Sequence, residues 1–400
     1  MRHDDPVLPL SDAPNPSRTP IVTYLLIAAN VLVFLLFTLP QSGVAATQGD
    51  PRLETYVEVL RESLPSTVSM REILGSVSLY DLFTFEHGYK PGAPQVTDLF
   101  AAMFLHGGFM HLFGNMLFLW IYGDNVEHRL GRFWYLIAYL ATGIAATLFF
   151  AVLSPGSMIP MVGASGAISG VLGFYFWWFP KNVVRVLLLF FPFLVRVIEV
   201  PARIVLGLYL FMDNILPMLL AGGDGGGGVA HGAHIGGFVA GVAGAWLLNR
   251  REVDGTPQEY QAEVRGLSMP RNAVVAALRA GDMPAAARGY FALAPREAEA
   301  ALGPADSLTL GSWLAANGHA QAAVTVYQRL VRHDPTGPAA AEAHVGAGSA
   351  LLEHLGQPAV AYQHFMDALA ASPDARTAAA AQAGLHAIGA MQKFPARRFS

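Results

Sequence analysis

The stretch Val162-Gly-Ala-Ser-Gly-Ala-Ile-Ser-Gly170 opens an apolar helix directly after an uncharged loop. Gly166, Gly170 and Gly173 recur within it at helical spacing, a small-residue face of the kind that lets a second helix backbone approach closely in a membrane. Packing accounts for the glycines and leaves Ser165 open. A membrane serine can simply bond back to its own helix, whereas a hydroxyl at a helix start is served by the N-terminal dipole, which favours negative charge developing nearby.

A second stretch, Ala230-His-Gly-Ala-His-Ile-Gly-Gly-Phe-Val-Ala-Gly241, has the matching character. His234, Gly237 and Gly241 fall on one helical face, so the imidazole is aimed at a neighbouring helix through residues that permit close approach. An ionisable group inside a membrane segment is costly and suggests function; the alternative is a neutral His bonded to a carbonyl.

Working outward, Ile21 to Leu39 is long enough to cross a bilayer, whose apolar core of roughly 30 Å needs about 20 helical residues. A cleaved signal peptide is the rival, with Ala45-Ala46 near a plausible cut, but the polar lead is long and the apolar run exceeds a usual signal core. Further apolar segments are expected near Leu99–Tyr122, Phe133–Leu153, Ser165–Phe179, Pro201–Leu220 and Ala230–Leu248. Val183–Val200 is apolar too, but Pro192, Arg196 and Glu199 break it, so it reads as a loop dipping into the interface. The expected fold class is all-α: a six-helix transmembrane bundle followed by a soluble helical region.

Arg129 and Arg132, Lys181 and Arg185, Arg196 and Arg203, and Arg250 and Arg251 fall on one side of this arrangement, whereas the short connections 154–164 and 221–229 carry no Lys or Arg. The positive-inside rule then places both termini in the cytoplasm and the long loop 40–98 outside. Composition agrees with a membrane chain, since 53% of the 400 residues are hydrophobic and only 14% charged. The net charge of -4, without a basic stripe, argues against nucleic-acid partners. Having no cysteine, the chain has no disulfide framework and no thiolate nucleophile, so covalent catalysis would use oxygen or nitrogen. The Arg bias and the abundance of Ala and Gly hint at a bacterial origin and hence an inner-membrane location.

The expected organisation is a flexible tail over 1–20, a membrane domain over 21–251, a linker over 252–269 and a helical repeat domain over 270–400. Gly281, Gly318 and Gly356 recur at nearly equal intervals, each before an Ala-rich helix bearing Tyr290, Tyr327 or Phe365, and Pro335 and Pro373 close the later two. This spacing resembles tetratricopeptide-type hairpins. Two roles stay open for it: a helical domain without a partner, or an adaptor that binds another protein on a concave surface.

A third motif, Phe104-Leu-His-Gly-Gly-Phe-Met-His-Leu-Phe-Gly-Asn115, puts His111 and Asn115 on one helix face. Two neutral donors converging in a dry site would suit a tetrahedral oxyanion, each worth about 3 kcal/mol. The competing chemistry is a metal held by His106, His111, His231 and His234, although the HExxH pattern of zinc proteases is absent.

Taken together, FLHGGFMHLFGN, GDNVEHRLG, GASGAISG and AHIGGFVAG resemble the rhomboid family of intramembrane serine proteases over about Ile21 to Arg251. The combination is far more specific than any part. The resemblance implies a serine endopeptidase, without cofactor or metal, acting on transmembrane protein substrates that enter sideways from the lipid past the second and fifth helices. It implies Ser165 as nucleophile and His234 as general base, with His111, Asn115 and the Ser165 N–H as oxyanion donors and Gly163 shaping the loop. His106 resembles a structural His beside the first loop, and Glu127 with Arg129 a pair that holds the second loop. Thr97-Asp98 stand where many members carry Trp-Arg, and Ser169 replaces an aromatic that some place one turn after the nucleophile. Ser169 is therefore expected to steer His234 through a hydrogen bond. The alternative within the family is an inactive scaffold that binds membrane segments and recruits partners through its repeats.

Overall fold

The computed structural model of the chain describes residues 7–16, 18–47, 49–63, 68–190, 194–220 and 230–392. The apolar segments form helices because nothing interrupts their backbone hydrogen bonding and, in hydrocarbon, every N–H and C=O must be satisfied within the segment. The first, α1, spans Ile21–Ser42 with a π-helical turn at Phe34–Thr38. Among the described residues, three helices are long and apolar enough to cross a membrane: α1, Arg132–Leu153 and Ala202–Leu220. Val96–Phe104 and Phe109–Leu130 would make a fourth span, bent by 89° at the break between them. That break corrects the continuous segment expected over Leu99–Tyr122. The chain turns at His106-Gly107-Gly108, and the straight helix lies further on. Leu25, Leu32, Leu35 and Leu36 of α1 and Phe149 and Val152 of Arg132–Leu153 are exposed, an apolar surface suited to lipid.

Let the helices up to this point be α2 (Pro51–Ser63), α3 (Met70–Ser76), α4 (Leu79–His87), α5 (Val96–Ala101), α6 (Phe109–Leu130), α7 (Arg132–Leu153) and α8 (Ser165–Trp178). Those that follow in the same region are α9 (Ala202–Leu220), with a π-helical turn at Phe211–Ile215, and α10 (His231–Asp254). Helices α8 and α10 touch backbone to backbone. A methyl on Gly237 would collide with the Gly166 carbonyl oxygen, and one on Gly241 with that of Gly170. On the other side of α8, Gly170 meets Thr142 of α7, and Gly166 meets Ala146.

The loop after α1 has its own small core of Leu53, Val57, Ile73, Val77 and Leu82. Its helices start on capping boxes, Ser69 with Glu72 for α3 and Ser78 with Asp81 for α4, which satisfy two otherwise orphaned backbone donors at each start. Beyond α4, Lys90 and Asp98 are both buried, with Nζ 3.8 Å from Oδ2, and Nζ also donates to the Phe85 and Gly88 carbonyls. Burial pushes the Lys90 ammonium below its ordinary range, and the Asp98 carboxylate pulls it partly back. Asp98, met in the sequence as a departure at the base of this loop, is thus an anchor for it. The loop then pairs with the segment before α8: Tyr89 and Met161 exchange backbone hydrogen bonds at 3.0 and 2.8 Å.

A three-stranded sheet in the order β1-β2-β3 accompanies the helices that make up most of the structure. Strand β1 (Val7–Ala13) lies within the supposed flexible tail, and its Pro9 sits on an edge strand, the place in a sheet where proline is tolerated. Strands β2 (Val183–Phe190) and β3 (Leu194–Pro201) replace the expected interfacial loop. Val184 and Val186 are buried on alternate positions around Arg185, the two-residue period of a strand, which a search for helical apolar runs overlooks.

The described residues divide into two compact units. One holds Arg18–Trp177 and Arg185–Gly244; the other holds Ala245 onward together with Asp12–Ser17 and Trp178–Val184, so α10 runs through the boundary expected after residue 251. In the second unit Gln363 bonds Lys181 N and Asn182, Lys181 pairs with Asp367, and Trp178 Nε1 donates to Asn249 at 2.8 Å. Arg329 donates to the Val253 and Gly255 carbonyls, tying the supposed linker to the helices beyond it. Those helices include the antiparallel pairs Arg271–Arg279 with Met283–Ala292, Pro304–Ala316 with Ala320–His333, and Ala340–Glu353 with Pro358–Ala370. Gly281, Gly318 and Gly356 make the three turns at φ 76°, 85° and 62°, a region that glycine enters without strain.

Two outcomes follow. Gly241→Leu should destabilise the detergent-solubilised protein by about 2 kcal/mol or more in thermal or denaturant unfolding, because the obstruction is backbone and cannot rotate away. Lys90→Met should cost about 3 kcal/mol by leaving Asp98 buried and unpaired, and adding Asp98→Leu should recover most of that loss in the same measurement.

Candidate active site

Ser165 is the first residue of α8, and the loop before it is held in place residue by residue. Gly92 N–H donates to the Ser157 carbonyl, Met161 pairs with Tyr89, and Gly163 N–H donates to the Ala102 carbonyl at 2.8 Å. Gly163 has φ +130° and faces His111, whose Nε2 would lie 2.9 Å from any Cβ placed there. A side chain at 163 is therefore excluded twice, by backbone conformation and by space. The same point lies 3.4 Å from Ser165 Oγ, so His111, Gly163 and Ser165 converge on one small volume.

The contact between α8 and α10 brings Ser165 and His234 together. Ser165 Oγ is 2.7 Å from His234 Nε2. The other ring nitrogen, Nδ1, is 2.6 Å from Oδ1 of Asn214, in the π-helical turn of α9. Asn214 is fully buried, and its Nδ2 donates to the Tyr209 carbonyl at 3.2 Å. Asn214 carries no distinct signal in the sequence, where it follows Asp213 in an otherwise apolar stretch. The pattern that could have exposed it is a buried Asn on the helix entering the loop before His234. Ser169, expected to steer His234, is buried with an Oγ that makes no hydrogen bond to it. Asn214 holds that place.

Asn115 and His106 form a second pair. Asn115 Nδ2 donates to His106 Nε2 at 2.9 Å, and His106 Nδ1–H donates to the Phe104 carbonyl at 3.3 Å, which is consistent with a neutral ring. An amide nitrogen carries two donors, so Asn115 keeps one for another acceptor. His106 is itself held by Tyr80 of α4: its N–H donates to the phenol at 3.0 Å, and the phenol donates to its carbonyl at 2.8 Å. The His106 and His111 rings meet edge to face, 5.1 Å apart. The resemblance had cast His106 as a residue beside the first loop, and Tyr80 belongs to that loop.

The other residues singled out serve the frame. Gly237 and Gly241 let α8 and α10 close. Glu127 accepts hydrogen bonds from Val22 N, Thr23 N and Thr23 Oγ1 at 2.8 to 3.0 Å, so its carboxylate caps the first turn of α1, where negative charge is favoured. Arg129 follows in the last turn of α6, where a cation suits the C-terminal dipole. Among the described residues no group of three or more His, Cys, Asp or Glu side chains gathers as metal ligands would.

Chemically, a hydroxyl bonded to an imidazole nitrogen that accepts its proton is a nucleophile in waiting, and donors beside it can meet an anionic oxygen. Known proteins share this region. A chloroplastic rhomboid-like protein 11 of Arabidopsis thaliana is 31% identical over 183 residues, covering 45% of this chain and 59% of that protein. The mitochondrial rhomboid protein 1 of Saccharomyces cerevisiae is 30% identical over 158 residues, covering 38% of this chain and 42% of its own length. The rhomboid protease GluP of Bacillus subtilis is 44% identical over 75 residues, 19% of this chain and 14% of that protein. The chain thus spans less than two thirds of the length of these relatives. Residues 93–251, a span that includes Ser165, His234, His111, Asn115 and Asn214, match the family model described as the Rhomboid domain.

Proposed function

We propose that the chain is an intramembrane serine endopeptidase that cleaves a peptide bond in or beside a transmembrane segment of another membrane protein. The 2.7 Å contact between Ser165 Oγ and His234 Nε2, made by two apolar helices, carries this reading. Ser165 Oγ attacks the scissile carbonyl carbon as Nε2 takes its proton. The carbonyl oxygen becomes an oxyanion within reach of His111, the free Asn115 donor and the Ser165 N–H at the start of α8. As the C–N bond breaks, His234 returns the proton to the leaving amine, leaving an acyl-enzyme that water hydrolyses by the same sequence.

Depth supports the membrane setting. Helix α8 has 14 residues, which at about 1.5 Å each is roughly 21 Å, short of a core of about 30 Å. If its basic end near Lys181 lies at the cytoplasmic surface, Ser165 lies below the opposite one. The apolar helices would make six crossings with both termini cytoplasmic. Phe133-Trp134 of α7, Trp177 of α8 and Trp246 of α10 all lie towards the Arg- or Lys-bearing ends of their helices, as interfacial aromatics do. Arg250 stacks on the Trp246 ring at 4.9 Å. A bacterial inner membrane is the location that fits this orientation. The three glycine-turned hairpins of the second unit would form a tetratricopeptide-like surface for a protein partner.

Purified protein incubated with single-pass substrates should produce a discrete cleavage that Ser165→Ala abolishes, with a fluorophosphonate labelling the wild type and not the variant. Cleavage that survives Ser165→Ala would exclude the mechanism.

A further inference from the structure

The geometry points to Asn214 as a positioning residue for His234, a third member that turns the Ser165–His234 pair into a hydrogen-bonded relay on three helices; this rests on the protease reading above. The relay is read from the donors and acceptors. Asn214 Nδ2 faces the Tyr209 carbonyl, which can only accept, so the amide orientation is set and Oδ1 must face His234. An amide oxygen accepts only, and His234 Nδ1 at 2.6 Å must therefore carry the proton. A neutral imidazole protonated at Nδ1 has its lone pair at Nε2, the atom 2.7 Å from Ser165 Oγ. Asn214 thereby selects the tautomer that can take the serine proton, and it holds the ring plane towards Ser165.

The backbone supplies the setting. Asn214 lies in a π-helical turn, Phe211–Ile215, where the wider winding redirects a side chain relative to a regular helix, and such turns recur at functional sites. It is wholly buried, with both ends of its amide used by this one arrangement. An amide also differs from a carboxylate in leaving no charge to bury beside the imidazole in an apolar helix. The titratable groups that face His234 are His111 of α6 and His231 of its own helix, while Tyr209 lies beside Asn214 and Asp213 faces His231.

The test compares wild type, Asn214→Ala and Asn214→Asp in detergent or proteoliposomes, using one single-pass substrate and measuring thermal stability alongside. Removing the hydrogen-bond partner that orients a metal-binding His costs about 10- to 100-fold in affinity or activity, and an orienting partner of a general base is expected to act on a similar scale. Asn214→Ala should lower kcat by that factor with KM within about twofold. Asn214→Asp keeps an oxygen for Nδ1–H, so it should recover most of the lost kcat. Its charge should also move the acid limb of the kcat/KM pH profile upward, which a merely structural role would not do. Equal kcat in wild type and Asn214→Ala overturns the inference and leaves the protease reading standing. If Asn214→Ala does not fold, an Asn214→Asp profile that superimposes on the wild type's overturns it just as well. Wild type that neither cleaves nor takes a fluorophosphonate on Ser165 overturns the protease reading, and the inference with it.

Discussion

Everything at the candidate site depends on how closely α8 and α10 approach. Carbonyl oxygens of Gly166 and Gly170 lie where side-chain carbons of residues 237 and 241 would be, so the two backbones are in direct contact over about two turns. Apolar side chains gain little from leaving lipid for one another, and close packing of small residues must hold such helices instead. The same contact fixes the short reach from Ser165 to His234. A single methyl in this seam would separate the helices by more than a hydrogen bond tolerates.

Around that seam, the first loop and the segment before α8 converge on a few atoms. The first loop reaches the site through Tyr80, which clamps the backbone of His106, and His106 in turn fixes the Asn115 amide. The Tyr89–Met161 pairing and the Gly163 to Ala102 bond hold the segment that delivers Ser165. The buried Lys90–Asp98 pair lies at the base of the same loop. The loop is thus a brace. It places donors beside Ser165 from the outside while the helix seam places His234 from the inside.

Much of this was legible in the sequence for a physical reason: close helix packing demands small residues at helical spacing, and that demand is written locally at Gly166, Gly170, Gly237 and Gly241. Ser165, His234, His111 and Asn115 stood out because polar residues on such faces are costly. Glu127 was noticed, but its partners at Val22 and Thr23 lie about a hundred residues away, so its capping of α1 could not be read. The sheet was missed because β1 carries a proline at position 9 and gains its pairing from β2 far along the chain. Asn214 was missed since its meaning lies in a local change of helical winding and in a tertiary contact to His234.

The chemistry of Asn214 follows from the solvent around it. In hydrolases of water-soluble folds a buried but hydrogen-bonded carboxylate commonly orients the histidine and stabilises the imidazolium that forms. Within apolar helices a buried carboxylate must itself be desolvated, at a cost of several kcal/mol that one neutral imidazole does not repay. An amide offers the same acceptor geometry to Nδ1–H without that cost, and forgoes the extra stabilisation of the imidazolium. A relay of this kind keeps every member neutral until the serine proton moves. On the proposed mechanism, the transient charge on His234 would meet an oxyanion beside His111 and Asn115 as its counter-charge, so the greatest electrostatic stabilisation would arise in the transition state and not in the resting site.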